Sequence, residues 1–296
     1  RKFAAGLAAV AAAVTPAAVY GLISLHHGFF FLPNSLLLKS TIPDLATLRG
    51  MIGFLDYPLL QLVLNPHILL LILGALVLYI RGIDAGAART LEINALLAIF
   101  AAGTLLHLFF VSASYLFRYE AYLIALGILA LGLGLIRDQS GADPSPPTPR
   151  PAGRRVALVL VVLFLLAPIT RRGIILLLNT PRASKNIYEQ QYQMARFAQA
   201  YYPAAVVAAN DIGAIAFCRS GPLLDLWGLA NVEVARQKMA GKYGPTWIEQ
   251  EARRMDVKIA VLYEEWFYNY GGLPRTWVKV AQWQIPDNFI CGSDVV

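Results

Sequence analysis

Residues 156–179, VALVLVVLFLLAPITRRGIILLLN, decide how this chain is read. Before them, apolar runs dominate. From Arg171 onward the composition is that of an ordinary globular domain of common size. A helix needs about 20 apolar residues to cross a bilayer. Val156–Ile169 is short for that, unless the helix continues through Gly173–Leu178. Arg171 and Arg172 would then snorkel to the lipid headgroups.

Four further segments upstream have the length and character of membrane spans: Phe3–Leu25, Leu59–Ile80, Leu91–Ala113 and Leu116–Ile136. Pro66 either kinks the second or marks its true start. The whole chain is 57% hydrophobic and 15% charged, against about 25% charged in soluble domains. The deficit lies almost wholly before residue 170. The expected fold is a membrane α-helical bundle of about five spans (1–170), followed by a small extracytoplasmic α/β domain (171–296).

Charge placement sets the orientation. Arg1 and Lys2, then Arg81 and Arg89, then Arg137, Arg150, Arg154 and Arg155 fall on one side if the spans alternate. The positive-inside rule makes that side cytoplasmic. Much of the +7 net charge therefore sets topology, and nucleic acid is not an expected partner. The start of the chain lacks the cleavage pattern of a signal peptide. It opens without Met and closes on Asp294–Val296 in what reads as a strand, so it is expected to be part of a longer protein.

The segment 137–155 carries five prolines and reads as a flexible or polyproline-like cytoplasmic linker. The opposite face receives loop 26–58, the turn Ser114–Glu120 and the C-terminal domain. Loop 26–58 is too apolar to lie free in water. It is expected to form interfacial or re-entrant helices, either for anchoring or as a docking surface for a lipid-linked substrate.

In the C-terminal domain Asn186–Tyr201 reads as an amphipathic helix. Residues 204–210 read as a strand, 212–217 as extended, 223–229 as a strand, and Val232–Tyr243 and Pro245–Met255 as helices. Residues 258–265 read as a buried strand and 277–285 as an alternating edge strand. Cys218 and Cys291 both lie in this domain, where an oxidising compartment would permit a bridge. Two free thiols fit the spacing equally.

The chain has no HExxH, GxSxG, Walker loop or CxxC. All four histidines, His26, His27, His67 and His107, lie in the membrane half. His67 and His107 are either intramembrane functional groups or neutral rings bonded to neighbouring helices. Phe117-Arg118-Tyr119-Glu120 falls in a short turn. There Arg118 suits phosphate or carboxylate recognition. Glu120 can orient Arg118, bind a metal or act as a base; the simpler reading is an interfacial ion pair beside the belt residue Tyr119. Lys39, Arg49, His26 and His27 would join Arg118 in a cationic rim suited to a phosphate headgroup, or only to lipid anchoring. Asp211 and Asp225 sit at strand ends, a place for either site residues or turn formers; Asp211 reads as a turn former.

Three stretches together resemble the bacterial GT-C type of membrane glycosyltransferase: Gly28–Lys39, Phe117–Leu123 and Asn210–Asn231 (NDIGAIAFCRSGPLLDLWGLAN). The Gly28–Lys39 stretch is similar to a Pro-Asn-x-x-x-x-Lys segment of an external loop. Phe117–Leu123 is similar to an arginine-bearing turn, and Asn210–Asn231 to an Asp-x-Gly…Asp-x-x-Gly-Leu pattern. The resemblance covers most of the chain and implies a protein of the bacterial inner membrane. It implies inverting transfer of a sugar from a polyprenyl-phosphate carrier to an extracytoplasmic glycan or lipid acceptor. Lys39, Arg118, Tyr119, Asn34 and His27 would line the donor site, with Glu120 as a candidate catalytic or orienting carboxylate. No cofactor is fixed by it, though a divalent metal ion assists some members. The family's base lies in an early external loop. Asp44 and Asp56 do not match that place, so the base is expected outside these residues. A non-catalytic membrane protein whose exported domain binds a glycan or protein partner is the other reading. A transporter would need midplane polar sites, and His107 alone offers one.

Overall fold

A computed structural model describes residues 2–40, 47–84, 90–111, 118–140, 152–290, 292 and 294–295. Residues 141–151 of the proline-rich linker, 112–117 of the expected turn, Asp44 and Cys291 lie outside the described residues. The chain divides into two compact units. One comprises residues 40–178; the other joins residues 1–39 to residues 179–296. The N-terminal helix and the segment after it therefore group with the C-terminal domain, where the sequence placed them with the bundle.

Helix α1 (Lys2–His26) and the short α2 (Asn34–Lys39) belong to the second unit. The first unit contains α3 (Leu48–Leu64), α4 (Pro66–Asp84), α5 (Thr90–Phe110), α6 (Ala121–Ser140) and the start of α7 (Ala152–Ile187). Pro66 does not kink a single span. It occupies the first turn of α4, where its missing N–H costs nothing, and Asn65 separates α4 from α3. The ends of segment 137–155 are helical rather than linker, since α6 runs to Ser140 and α7 starts at Ala152. Helix α7 also passes through Arg171 and Arg172 without a break.

Among the described residues, four helices are long and apolar enough to cross a membrane: Ala4–His26, Pro66–Ile83, Leu91–Phe110 and the helical run Val162–Tyr201. Gly50–Leu64 and Ala121–Arg137 are shorter apolar helices. Around α4, α5 and α6 the usual polarity of a soluble protein is inverted. Ile80, Ile99, Leu106 and Ile136 face outward, while Asn65, His67, Asn94 and Glu120 are buried. Such a surface suits hydrocarbon, and buried polar groups meet one another inside, as Asn94 meets Arg137 and Glu120 meets Arg172. The core joins Ile68, Leu71, Ile72 and Leu78 of α4 to Leu97, Phe100 and Leu108 of α5 and Ala130 of α6. Gly127 makes this packing possible: a Cβ there would lie 2.7 Å from the Phe100 ring. Without a hydrophobic driving force between helices in lipid, close approach at small residues supplies the contact. At one end of the bundle Arg137 of α6 donates to Asn94 Oδ1 of α5 (2.5 Å) and to the Leu78 carbonyl of α4 (2.6 Å).

In the second unit α7 widens into a π-helical stretch (Tyr188–Tyr192) and continues as α8 (Gln193–Tyr201). Strand β1 (Val206–Ala209) leads to α9 (Gly213–Cys218) and β2 (Leu223–Asp225). Helices α10 (Val232–Met239) and α11 (Pro245–Arg254) precede β3 (Val257–Val261). Two short strands, β4 (Trp283–Gln284) and β5 (Asp294–Val295), pair antiparallel. The main sheet is parallel, in the order β2-β1-β3. Met194, Ala195 and Ala198 of α8 pack on Val207 and Ala209 of β1, in the core that also takes Ile215 of α9.

Two expectations fail here. Residues 213–218 form a helix rather than extended chain. Once β1 and β2 pair in parallel, the connection must return to the far end of the sheet, and α9 lies on that return. Residues 277–282 alternate like a strand but join no ladder among the described residues; Trp283–Gln284 is the part of that stretch that does.

Candidate functional site

In the bundle the site forms around Glu120, at the start of α6. Its side chain is fully buried, and its Oε1 accepts from Arg172 Nη1 of α7 at 2.6 Å. The same Arg172 nitrogen lies 3.2 Å from His67 Nε2 in the first turn of α4, and Nη2 donates to Asn65 Oδ1. A guanidinium only donates, so His67 Nε2 accepts and the ring proton sits on Nδ1. Among the described residues, His67 Nδ1 and Glu120 Oε2 are buried without a hydrogen-bond partner. Each can engage a hydroxyl group, which accepts from an N–H and donates to a carboxylate. His107 bonds Tyr122 of the neighbouring α6, Nδ1 to hydroxyl 2.7 Å, which matches its simpler reading.

The partner of Glu120 is therefore Arg172, where the sequence placed Arg118. Arg118 instead lies over the Tyr119 ring at 4.8 Å and donates to its hydroxyl at 3.0 Å. Its side chain is exposed and Tyr119 is half-buried. Nor does Arg172 snorkel outward: only 14% of its side chain is accessible. No local pattern could have found this pair, because 52 residues separate its members.

In the second unit the site is the loop after β2. Both carboxylate oxygens of Asp225 are used. Oδ1 accepts from the backbone N–H groups of Trp227 (2.7 Å) and Gly228 (3.0 Å), and Oδ2 from that of Ala230 (2.7 Å). Gly228 has a left-handed φ of +88°, which suits glycine alone without strain. The loop's carbonyls are taken from three other places. Tyr243 Oη donates to Leu226 O (2.6 Å), Lys238 Nζ to Trp227 O (3.0 Å) and Asn34 Nδ2 to Gly228 O (3.0 Å). Arg236 adds a bond to the Gly28 carbonyl (2.6 Å) and faces the Phe30 ring. Asp225 thus organises a loop, and Asn34 holds segment 28–39 against it. Lys39 and His27 are exposed.

Asp211 accepts from Gln191 Nε2 at 3.0 Å. Strand order reverses between β1 and β3, and a parallel sheet usually leaves a ligand crevice there. Here Asn210 fills it, with its side chain donating to the Tyr263 carbonyl (3.3 Å) and accepting from the Tyr263 N–H (3.0 Å).

No three His, Cys, Asp or Glu side chains among the described residues are grouped so as to hold a metal ion. Residues 185–296 match DUF8728, a domain of unknown function. No curated protein and no solved structure matches the chain. The DUF8728 region holds the whole parallel sheet, the Asp225 loop and Lys238.

Burial lowers the pKa of Lys238 in this region from 10.5 to about 8, with the Asp225 charge opposing the shift. Between those values the unfolded chain binds more protons than the folded one, so stability rises with pH across the window. Wild type is expected to gain stability relative to Lys238→Met between pH 8 and 10.5. Denaturant unfolding of both at about pH 7.5 and 10 checks the sign, and an unchanged difference refutes it.

Proposed function

We propose that this chain is the C-terminal part of a membrane glycosyltransferase. It would move a sugar from a polyprenyl-phosphate carrier to a glycan or lipid acceptor outside the bacterial inner membrane. The observation that supports this reading is the closure of segment 28–39 on the Asp225 loop, through Asn34–Gly228 and Arg236–Gly28. These are two of the three stretches on which the resemblance rests, and they lie far apart in sequence. In this reading Arg118 of the bundle is the cation that meets the carrier phosphate, with Tyr119 steadying it. Glu120 holds Arg172 in place, and its free oxygen can accept a hydroxyl proton. The arginine-rich side of the bundle faces the cytoplasm, and the DUF8728 region faces out.

The full natural chain in nanodiscs is expected to bind a short-chain polyprenyl phosphate, and Arg118→Ala to weaken that binding at least about tenfold, the loss of one charge-assisted contact. Equal affinity would remove Arg118 from the donor site. Absence of binding by the wild type would end the carrier reading.

One observation favours a binding role instead. An open groove of about 840 Å³ runs along β3, walled by Phe197, Tyr202, Trp277 and Trp283. Binding of a soluble glycan or peptide there, without transfer from any carrier, would support it.

A further inference from the structure

Lys238 sits in the last turn of α10 with its ammonium enclosed by aromatic rings. Nζ lies 3.5 Å from the centre of Trp227, 4.7 Å from that of Tyr270 and 4.9 Å from that of Tyr243. An ammonium has three N–H donors, and one is spent on the Trp227 carbonyl. The rings stabilise the charge through their faces rather than as hydrogen-bond acceptors. The Tyr243 hydroxyl is committed to the Leu226 carbonyl. Asp225 is 4% accessible, and both its oxygens are occupied by backbone N–H groups. Among the described residues, the cation therefore lacks a hydrogen-bonded anionic partner.

Beside it opens a cavity of about 340 Å³, lined by Lys238, Gly241, Tyr243, Asn269 and Tyr270. That is within the usual size range of small-molecule sites. Gly241, at φ +65°, shapes the turn on one side. Asn269 is exposed at the other side and offers an amide. Two unspent N–H donors on a desolvated cation call for an oxyanion. Ring walls and an amide suit a small polar body attached to it.

We propose that this cavity binds an oxyanion, a phosphate or carboxylate group carried on a sugar-sized ligand, with Lys238 as its charge partner. The inference concerns soluble ligands and does not depend on the carrier reading.

The test uses the full chain in detergent, titrated calorimetrically with inorganic phosphate, glucuronate and neutral glucose at about pH 7.5, where Lys238 keeps its proton. Glucuronate, phosphate or both should bind, and glucose should not. Binding of phosphate alone points to a sugar phosphate, and binding of glucuronate points to an acidic glycan. Lys238→Met is expected to lower affinity at least about tenfold, while Lys242→Met, an exposed neighbour, leaves it unchanged. Affinity should also fall above about pH 8 as Lys238 loses its proton. Asp225, Tyr243 and Tyr270 are the titratable groups facing it from the other elements. If Lys238→Met does not fold, Asn269→Ala and Tyr270→Ala decide, each expected to weaken binding at least about threefold. No binding of either anion by the wild type overturns the proposal. So does equal affinity in Lys238→Met or, where that variant fails to fold, in both cavity variants.

Discussion

Arg172→Met is expected to cost the bundle about 3–5 kcal/mol, the range for breaking a buried ion pair by removing one member. The lost hydrogen bonds alone do not explain so large an effect, since interhelical hydrogen bonds in membranes average about 0.6 kcal/mol. The cost arises from what remains. Glu120 has no accessible side-chain surface, so without Arg172 it must hold an unpaired charge, take up a proton or draw in water. The Asn65 and His67 acceptors lose their donor at the same time. Replacing both members of the pair separates these terms. The double variant Glu120→Leu/Arg172→Met removes the stranded carboxylate and should recover most of the loss, because apolar replacement of a buried pair is often neutral. Reversible unfolding in mixed micelles measures the cycle. A single variant within about 1 kcal/mol of wild type would mean that the pair does not hold α6 to α7.

Asp225→Ala is expected to destabilise the second unit by about 3–5 kcal/mol. Hydrogen bonds to a charged group contribute about 1.5–3 kcal/mol each, and their sum is not additive. Three N–H groups lose their acceptor together. Asp225→Asn should cost less. Its amide oxygen can keep the Trp227 and Gly228 donors, while its NH₂ group faces the Ala230 N–H, donor against donor. Loss of the loop also releases Asn34, so segment 28–39 should become open to protease in Asp225→Ala under native conditions. Denaturant unfolding and limited proteolysis read the two effects separately. Wild-type stability in the alanine variant would show that the loop is held by its carbonyl contacts instead.

Some of the site was legible in the sequence, and the legible part was local. The Asp-x-x-Gly spacing from Asp225 to Gly228 carries its own reason, a carboxylate beside the N–H groups it caps and a glycine where φ turns positive. Local turn chemistry pointed to Asp211 as the turn former, yet it is Asp225 that holds a loop through three backbone bonds. Asn34, which the resemblance makes a donor-site residue, also ties its segment to Gly228 through its side-chain amide. Nothing in PNSLLLK announces a partner 194 residues away.

Hydropathy and periodicity by themselves determined that long apolar helices precede a small domain of alternating helices and strands. A run of apolar residues fixes its environment whatever it packs against, and β1, β3, α10 and α11 follow from local pattern and turn chemistry. Only the tertiary structure decided the rest. It set α9 on the crossover, because parallel pairing of β1 and β2 demands a return path. It left 277–282 outside the ladders, because alternation describes a face while a strand also needs a hydrogen-bonded neighbour. It gave Glu120 to Arg172 rather than to Arg118, because in a buried environment a charge pairs with whichever opposite group the helix packing brings within reach.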